Sequence, residues 1–266
     1  MLTDQLIPNV RSQHDWEKVT DGWRRWYDKF SKQSSGATDA IIELAQVTKG
    51  MQVLDLACGS GEPSLSLARA VSQTGKVTAT DIVGDMLHIA EANAMIDHLS
   101  NIEFTLADAE AVPFPDGAFD LVTCRFGVMF FSDPVRAMRE ALRVLKDTGL
   151  IVLVTWGPLK DNRRFTTTTS IVEKYLHSAQ SESDSLTRTA GNNLFKFAEV
   201  GSLSRILREA GFGEISEKHP EIPWIWEGSV EEQFQSFSEM SAPFRRMCSG
   251  MDRIHPPAFL LNASHI

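Results

Sequence analysis

The chain has 266 residues, with 26 Lys and Arg against 35 Asp and Glu, a formal net charge of −9 and 42% apolar residues. That length and apolar content suit one large buried core and exclude a disordered chain, while three cysteines exclude a disulfide scaffold. An acidic chain has no general attraction for phosphate backbones or anionic membranes, so no nucleic-acid partner is expected.

The longest apolar stretch, around Leu150 to Trp156, is far shorter than the ~20 residues a bilayer requires, so no membrane span is expected. The opening MLTDQLIPNVRSQHDW has an early Asp4 and no apolar run, unlike a secretory signal. Cys58, Cys124 and Cys248 are scattered with no CxxC, which points to a reducing, cytoplasmic setting.

In chain order, Trp16, Val19, Trp23, Trp26, Tyr27 and Phe30 give residues 14–30 one aromatic helical face, which either docks on the core or covers a ligand. Lys32–Thr38 reads as a polar loop, and Asp39–Thr48 as a short helix. Then strands and helices alternate. Strand Gln52–Ala57 precedes a helix opening at Glu62-Pro63 and running to about Ser72. Strand Lys76–Thr80 precedes a helix from Gly84 to Met95, and strand Ile102–Leu106 precedes a Pro-rich loop. Strand Phe119–Thr123 precedes a helix from Pro134 to Lys146, and strand Leu150–Thr155 follows. This alternation predicts a doubly wound α/β fold with a mostly parallel sheet. Asp133-Pro134 is an N-cap with Pro at the first helical position, Val135, Met138, Leu142 and Leu145 line one face, and Gly149 follows where the helix must stop. Residues 159–198 form a polar insertion with a helical stretch at Ile171–Leu176. Glu199–Ala210 is a helix ended by Gly211, and Ile215–Trp226 reads as a sixth strand interrupted by Pro220 and Pro223.

The chemistry concentrates in Val53–Pro63, VLDLACGSGEP, where a strand runs into Gly-x-Gly and a helix start. Glycines there permit a tight turn and close approach of a ligand to the backbone. Asp81 ends the second strand, 22 residues after Gly59, where a carboxylate matches the vicinal hydroxyls of an adenosine ribose. Asp108 closes the third strand and is suited to accept from an exocyclic amine. All of these fall at carboxyl ends of strands, on one rim of the sheet. A dinucleotide site wants a third glycine, and Ser64 stands in its place. Asp55, inside the first strand, gains nothing from a pyrophosphate but suits a ligand with an ammonium and a sulfonium.

DLACGSG, TDIVGDML, ADAEAVPFPDGAFDLV and FGVMFFSDPVRAMREALRVLKDTG together resemble the class I S-adenosylmethionine (SAM)-dependent methyltransferases, most closely the UbiE/COQ5-type group, which methylates quinone precursors and other small molecules. The resemblance covers roughly residues 16–215. It implies a seven-stranded Rossmann-like sheet, with Phe259–Ala263 as the only segment left for the last strand. It implies that Asp55, Ala57, Gly59 and Gly61 surround the methionine part of SAM, and that Asp81 holds the ribose. Ile82 and Met86 would flank the adenine, with Asp108 and Ala109 at its edge. Arg125 would lie near the methionine end and the substrate mouth, and Trp23 and Tyr27 would belong to a lid. Met86 is equally explained by core packing, Arg125 by a surface ion pair, and Cys58 as a small buried residue. The implied division is a single methyltransferase domain over 1–266. Within it lie a lid helix at 14–36, a SAM-binding core at 38–157, a substrate-side insertion at 158–198 and a C-terminal helix and strands at 199–266.

Two places depart from the group's pattern: Lys146-Asp147-Thr148-Gly149 replaces the usual Lys-Pro-Gly-Gly, and RMCSGMDRIHPPAFLLNASHI has little family character. The expected reaction is methyl transfer from SAM to a quinol, phenol or other small O, N or C nucleophile, leaving S-adenosylhomocysteine. No metal is expected. No histidine sits in a recognisable catalytic setting; His14 in the aromatic helix and His219 in the sixth strand are the better placed general-base candidates. The alternatives are a SAM-binding protein without methyl transfer, cyclase-like or a binding module, and a nicotinamide-dependent oxidoreductase, which lacks its third glycine and a Tyr-x-x-x-Lys set.

Overall fold

The most deeply buried strands occupy the middle of the sheet. A computed structural model of the chain describes residues 10–163, 165–166 and 194–241. Its strands are β1 (Gln52–Leu56), β2 (Lys76–Asp81), β3 (Ile102–Leu106), β4 (Phe119–Arg125) and β5 (Leu145–Val154), in spatial order β3-β2-β1-β4-β5 and all parallel. β1, β2 and β4 are buried almost throughout, whereas edge strands β3 and β5 alternate between covered and exposed residues. Parallel neighbours need long crossovers, supplied here by α4 (Ser64–Val71), α5 (Gly84–Ile96) and α6 (Pro134–Val144). α1 (Val10–Glu17), α2 (Thr20–Gln33) and α3 (Ser35–Leu44) precede the sheet; α7 (Ser202–Ala210) and α8 (Val230–Met240) follow it.

Side chains alternate faces along a strand, and here that alternation divides the core. Leu54, Leu56, Val122 and Cys124 pack with Ala137, Met138 and Ala141 of α6 and Leu207 of α7. Val53, Leu121 and Val152 pack on the other face with Ile41 of α3 and Leu67 and Val71 of α4. Asp55, Thr123 and Arg125 share the parity of Val53 and Leu121, so they lie toward α3 and α4.

Asp133 caps α6 as its sequence implies, its side chain accepting from Arg136 N at 2.9 Å. The inward face is Ala137, Met138, Ala141 and Val144, while Leu142 is 37% exposed. The helix stops at Val144, before Gly149. Gly149 sits inside β5 at the register shift opposite Phe119, where an added Cβ would lie 3.1 Å from Phe119 O. Gly211 ends α7 with φ +110°.

Two expectations are corrected. Lys32–Thr38 is helical on both sides of a break at Ser34, because Ser34 N and Oγ both bond back to Phe30 O, at 2.9 and 2.8 Å. The stretch 215–226 is extended but pairs with no strand, since Pro220 and Pro223 remove ladder donors. It runs over the α2–α3 break instead, with Ile222 against Gly36. The described residues hold five strands of the expected sheet. Ile171–Leu176 and Phe259–Ala263 lie outside them.

Helix α8 opens on a capping box, Ser229-x-x-Glu232. It clamps α2: Trp23 Nε1 donates to Met240 O (2.9 Å), Trp26 Nε1 to Glu239 (2.8 Å), Arg25 pairs with Glu239 (2.9 Å) and Lys29 with Glu232 (2.7 Å). A Cβ on Gly22 would strike the Glu239 carbonyl. Gly22→Ala is therefore expected to lower stability by about 1–3 kcal/mol through overpacking. Urea denaturation followed by tryptophan fluorescence reads it, and an unchanged midpoint would show that α8 does not seat there.

Candidate functional site

The strand order reverses between β1 and β4, and ligands of open α/β sheets bind outside the carboxyl ends at such a point. A cavity of about 940 Å³, counted to its open mouth, lies there. Of the residues expected at a cofactor site, Ala57, Gly59, Asp81, Ile82, Met86, Asp108, Ala109, Arg125 and Trp23 line it. Asp55, Gly61 and Tyr27 do not.

Each placement has a local cause. Gly59 adopts φ +55°, and a Cβ there would meet nothing within 4 Å, so its Cα borders open space. Gly61 has φ +122° and a packing duty, because a Cβ would press on Leu65 of α4 and on Ala90 of α5 at 3.4 Å. Ala57 holds φ +55° without being glycine and Phe126 holds φ +58°; both flank Gly127, whose Cβ would be 2.7 Å from Ala57 Cβ. Such strained backbone at a cavity wall is characteristic of functional sites.

Asp81 is 9% exposed. Its Oδ2 accepts from Gly59 N and its Oδ1 from Val83 N, both at 2.9 Å, which joins the first turn to the start of α5. Burial raises its carboxyl above the ordinary value against the pull of those N–H groups. Asp108 Oδ1 accepts from Glu110 N at 2.9 Å, while Oδ2 is buried without a partner. Such a buried acceptor is costly until something donates to it.

Asp55, fully buried, sits beneath the turn. Ser64 Oγ, at the start of α4, donates to Oδ2, and Thr123 Oγ1 donates to Oδ1 at 2.7 Å. Arg125 is a buried residue of the cavity wall and not a surface ion-pair partner. Its Nη1 donates to Ser34 O (3.3 Å), Ser34 Oγ (2.9 Å) and Thr38 Oγ1 (3.0 Å), and its Nη2 to Glu62 O (2.8 Å). Tyr27 is not among the lining residues; burial, and then the nearby Glu62 charge, push its phenol up to about 12. The cavity-facing row of the N-terminal helices is Trp16, Trp23 and Phe30, at intervals of seven residues.

Neither proposed base reaches the cavity. His14 is exposed and pairs with Glu17 at 3.4 Å; His219 is exposed and 4.0 Å from Glu217. Cys58 lines the wall, but burial holds its thiol well above the ordinary value, so it is an unreactive small residue. Sequence reasoning missed Glu62 and the aromatic wall. Phe126 stacks on Trp156 (4.4 Å, 14°), and Trp224 meets Trp156 edge-on at 4.8 Å. The signal available for the wall was the aromatic spacing in 215–226. For Glu62 it was an acid directly after Gly-x-Gly.

Burial raises the Asp55 carboxyl from 3.8 to about 6, despite Ser64, Thr123 and Arg125. Between those values the folded protein keeps a proton that the unfolded chain has released. Stability from this group therefore falls as pH rises through the window and levels off above it. The swing is on the order of 3 kcal/mol. Asp55→Asn removes it, so the variant should gain on the parent by about 3 kcal/mol between about pH 4 and about pH 7. Urea denaturation at several pH values measures the difference, and parallel pH profiles would contradict it.

The profile of the ubiE/COQ5 methyltransferase family matches residues 31–219. A curated relative, the ubiquinone/menaquinone biosynthesis C-methyltransferase of Hahella chejuensis, is 40% identical over 158 residues, which is 57% of this chain and 63% of the relative. The chain spans about six-tenths of the length of the curated relatives it matches. A solved protein described as a methyltransferase, from Bacillus halodurans C-125, is 28% identical with a TM-score of 0.50, covering 66% of this chain and 68% of that one. One described as S-adenosyl-L-methionine-dependent, from Methanococcus maripaludis, shares the fold at 22% identity and a TM-score of 0.57, covering 75% and 86%. On the match over 31–219, the chain belongs to the ubiE/COQ5 methyltransferase family.

Proposed function

We propose that this chain binds S-adenosylmethionine and catalyses transfer of its methyl group to a small-molecule acceptor in the cytoplasm. The observation that carries the reading is a row of carboxylates on one rim. Asp81 and Asp108 stand at the ends of β2 and β3 beside a wall of Ile82, Met86 and Ala109. The unpartnered Asp108 Oδ2 suits an exocyclic amine, and Asp81 suits a ribose diol. The open space at Gly59 admits a ligand against the backbone of the first turn. Family membership and the names of the relatives support the same reading.

SAM supplies an electrophilic methyl group on its sulfonium. The chain's own contribution is alignment and exclusion of water. Asp81 fixes the ribose while its two bonds to Gly59 N and Val83 N keep the carboxylate in place. Trp16, Trp23 and Phe30 cover the cavity from the lid region, and Phe126, Phe130 and Phe131 close its acceptor side. Such a wall selects an apolar, flat acceptor. The quinol-type acceptor also follows the relatives named for ubiquinone and menaquinone biosynthesis. No histidine is among the described residues that line the cavity.

Calorimetry with SAM and S-adenosylhomocysteine should show binding, and Asp81→Ala should weaken it by about 1–3 kcal/mol. Radiolabelled SAM offered with phenols and quinols should yield labelled product. Binding of NAD without SAM would overturn the assignment, and SAM binding without transfer to any acceptor would overturn the catalytic half.

A further inference from the structure

The stretch 215–226 keeps the side-chain alternation of a strand without pairing as one. Glu221, Pro223 and Ile225 are exposed, while Ile222, Trp224 and Trp226 are half-buried. Extended backbone places alternate side chains on one face, and here that face lies on the N-terminal helices. Ile222 fills the space beside Gly36 of α3, where an added Cβ would be 2.6 Å from it. Trp226 meets Trp26 of α2 at 5.8 Å, with Lys29 Nζ 5.3 Å from its ring. Trp224, between these two anchors, reaches further. Its ring meets Phe30 of α2 at 5.8 Å, Phe126 after β4 at 5.9 Å and Trp156 after β5 at 4.8 Å, each edge-on.

Trp224 does not itself line the cavity, but Phe30 and Phe126 both do. They belong to different parts of its cover, Phe30 to the lid region and Phe126 to the acceptor side. Phe126 holds a left-handed backbone, φ +58°, which a bulky residue keeps only where its surroundings fix it. Its N–H donates to Val154 O at 2.8 Å, its ring stacks on Trp156, and the adjoining Gly127 has no room for a side chain. Asp81 and Asp108 stand at the ends of β2 and β3, on the far side of β1 from these rings. A change at Trp224 therefore reaches the acceptor and spares the nucleoside wall. We infer that Trp224 is a specificity-determining positioning residue: it sets the spacing of Phe30 and Phe126, and with it the size of aromatic acceptor that the cavity takes. The inference rests on the methyl-transfer reading above.

The test uses the full chain loaded with S-adenosylhomocysteine, so that calorimetry reads acceptor binding without requiring turnover. The probes are a one-ring phenol and a two-ring naphthol. Trp224→Ala should weaken the phenol and not the naphthol, moving the ratio of the two affinities about tenfold toward the larger ring system. S-adenosylhomocysteine should bind as in the parent, which also certifies the fold; Trp224→Leu gives the same reading should the alanine variant not fold. Trp224→Phe keeps a ring in the gap and should restore the parent's ratio. Phe126→Leu should move the ratio in the same direction, and adding Trp224→Ala to it should move it no further, because Trp224 acts through Phe126. An unchanged ratio in Trp224→Ala, or equal weakening of phenol, naphthol and S-adenosylhomocysteine, would make Trp224 merely structural and overturn the inference. So would a parent that binds S-adenosylhomocysteine and neither acceptor. A parent that fails to bind S-adenosylhomocysteine would instead overturn the SAM reading itself, and this inference with it.

Discussion

The Asp55 carboxylate ties together the point on which everything else is built. Through Ser64 it holds the first turn of α4, through Thr123 it holds β4, and the Thr80 hydroxyl donates to its backbone oxygen at 3.2 Å. Three neighbouring strands and one helix start are thereby fixed around the place where strand order reverses. Burying a carboxylate there opposes ionisation, and the raised pKa of about 6 is the measure of it. What the network gains is position. With β1 and α4 held, the chain between them must turn within Cys58–Pro63, and the Gly59 N–H comes to the Asp81 carboxylate.

From that knot outward the site is a layered electrostatic object. Asp55 is at the bottom, hydroxyl-bonded and away from the cavity. Asp81, Asp108 and Glu62 occupy the wall, and aromatic side chains cover the rest. Aromatic and aliphatic surroundings lower the local dielectric, so each unfilled polar atom is costly and each correct ligand contact is strong. The Phe126–Trp156–Trp224 group extends this apolar wall over the end of β5, where the extended segment 215–226 passes. α8 then pins α2 by two indole donors and two ion pairs, so the cover over the cavity is held from behind.

The sheet and its helices were legible because both periodicities were strong. Short apolar and β-branched stretches separated by helical patterns mark β1, β2, β4 and β5, and Asp133-Pro134 marks a helix start in two independent ways. The rim carboxylates were legible because a charge ending a buried strand has few other uses. Failures came where tertiary contacts decide. Lys32–Thr38 looks like a loop by composition, yet Ser34 donates both its N–H and its hydroxyl to Phe30 O, and Arg125 fixes the break. Strand 215–226 had the right alternation, but two prolines and an aromatic bed under it left it unpaired. Asp55 and Arg125 were found by motif, while their surroundings depended on strand parity. Parity is readable in principle once the register of β1 against β4 is known.

The contrast between Asp55 and Glu62 shows how distance along the chain misleads. Both are acids within the same turn region, seven residues apart. Asp55 is the more prominent by motif, but a strand residue points as its parity dictates, here under α4 and onto hydroxyl donors. Glu62 follows the second glycine, where the backbone has left the sheet, and its side chain is free of that rule. It stands on the same wall as Arg125, which is on β4 and has its own carbonyl-bound route to Glu62 at 2.8 Å.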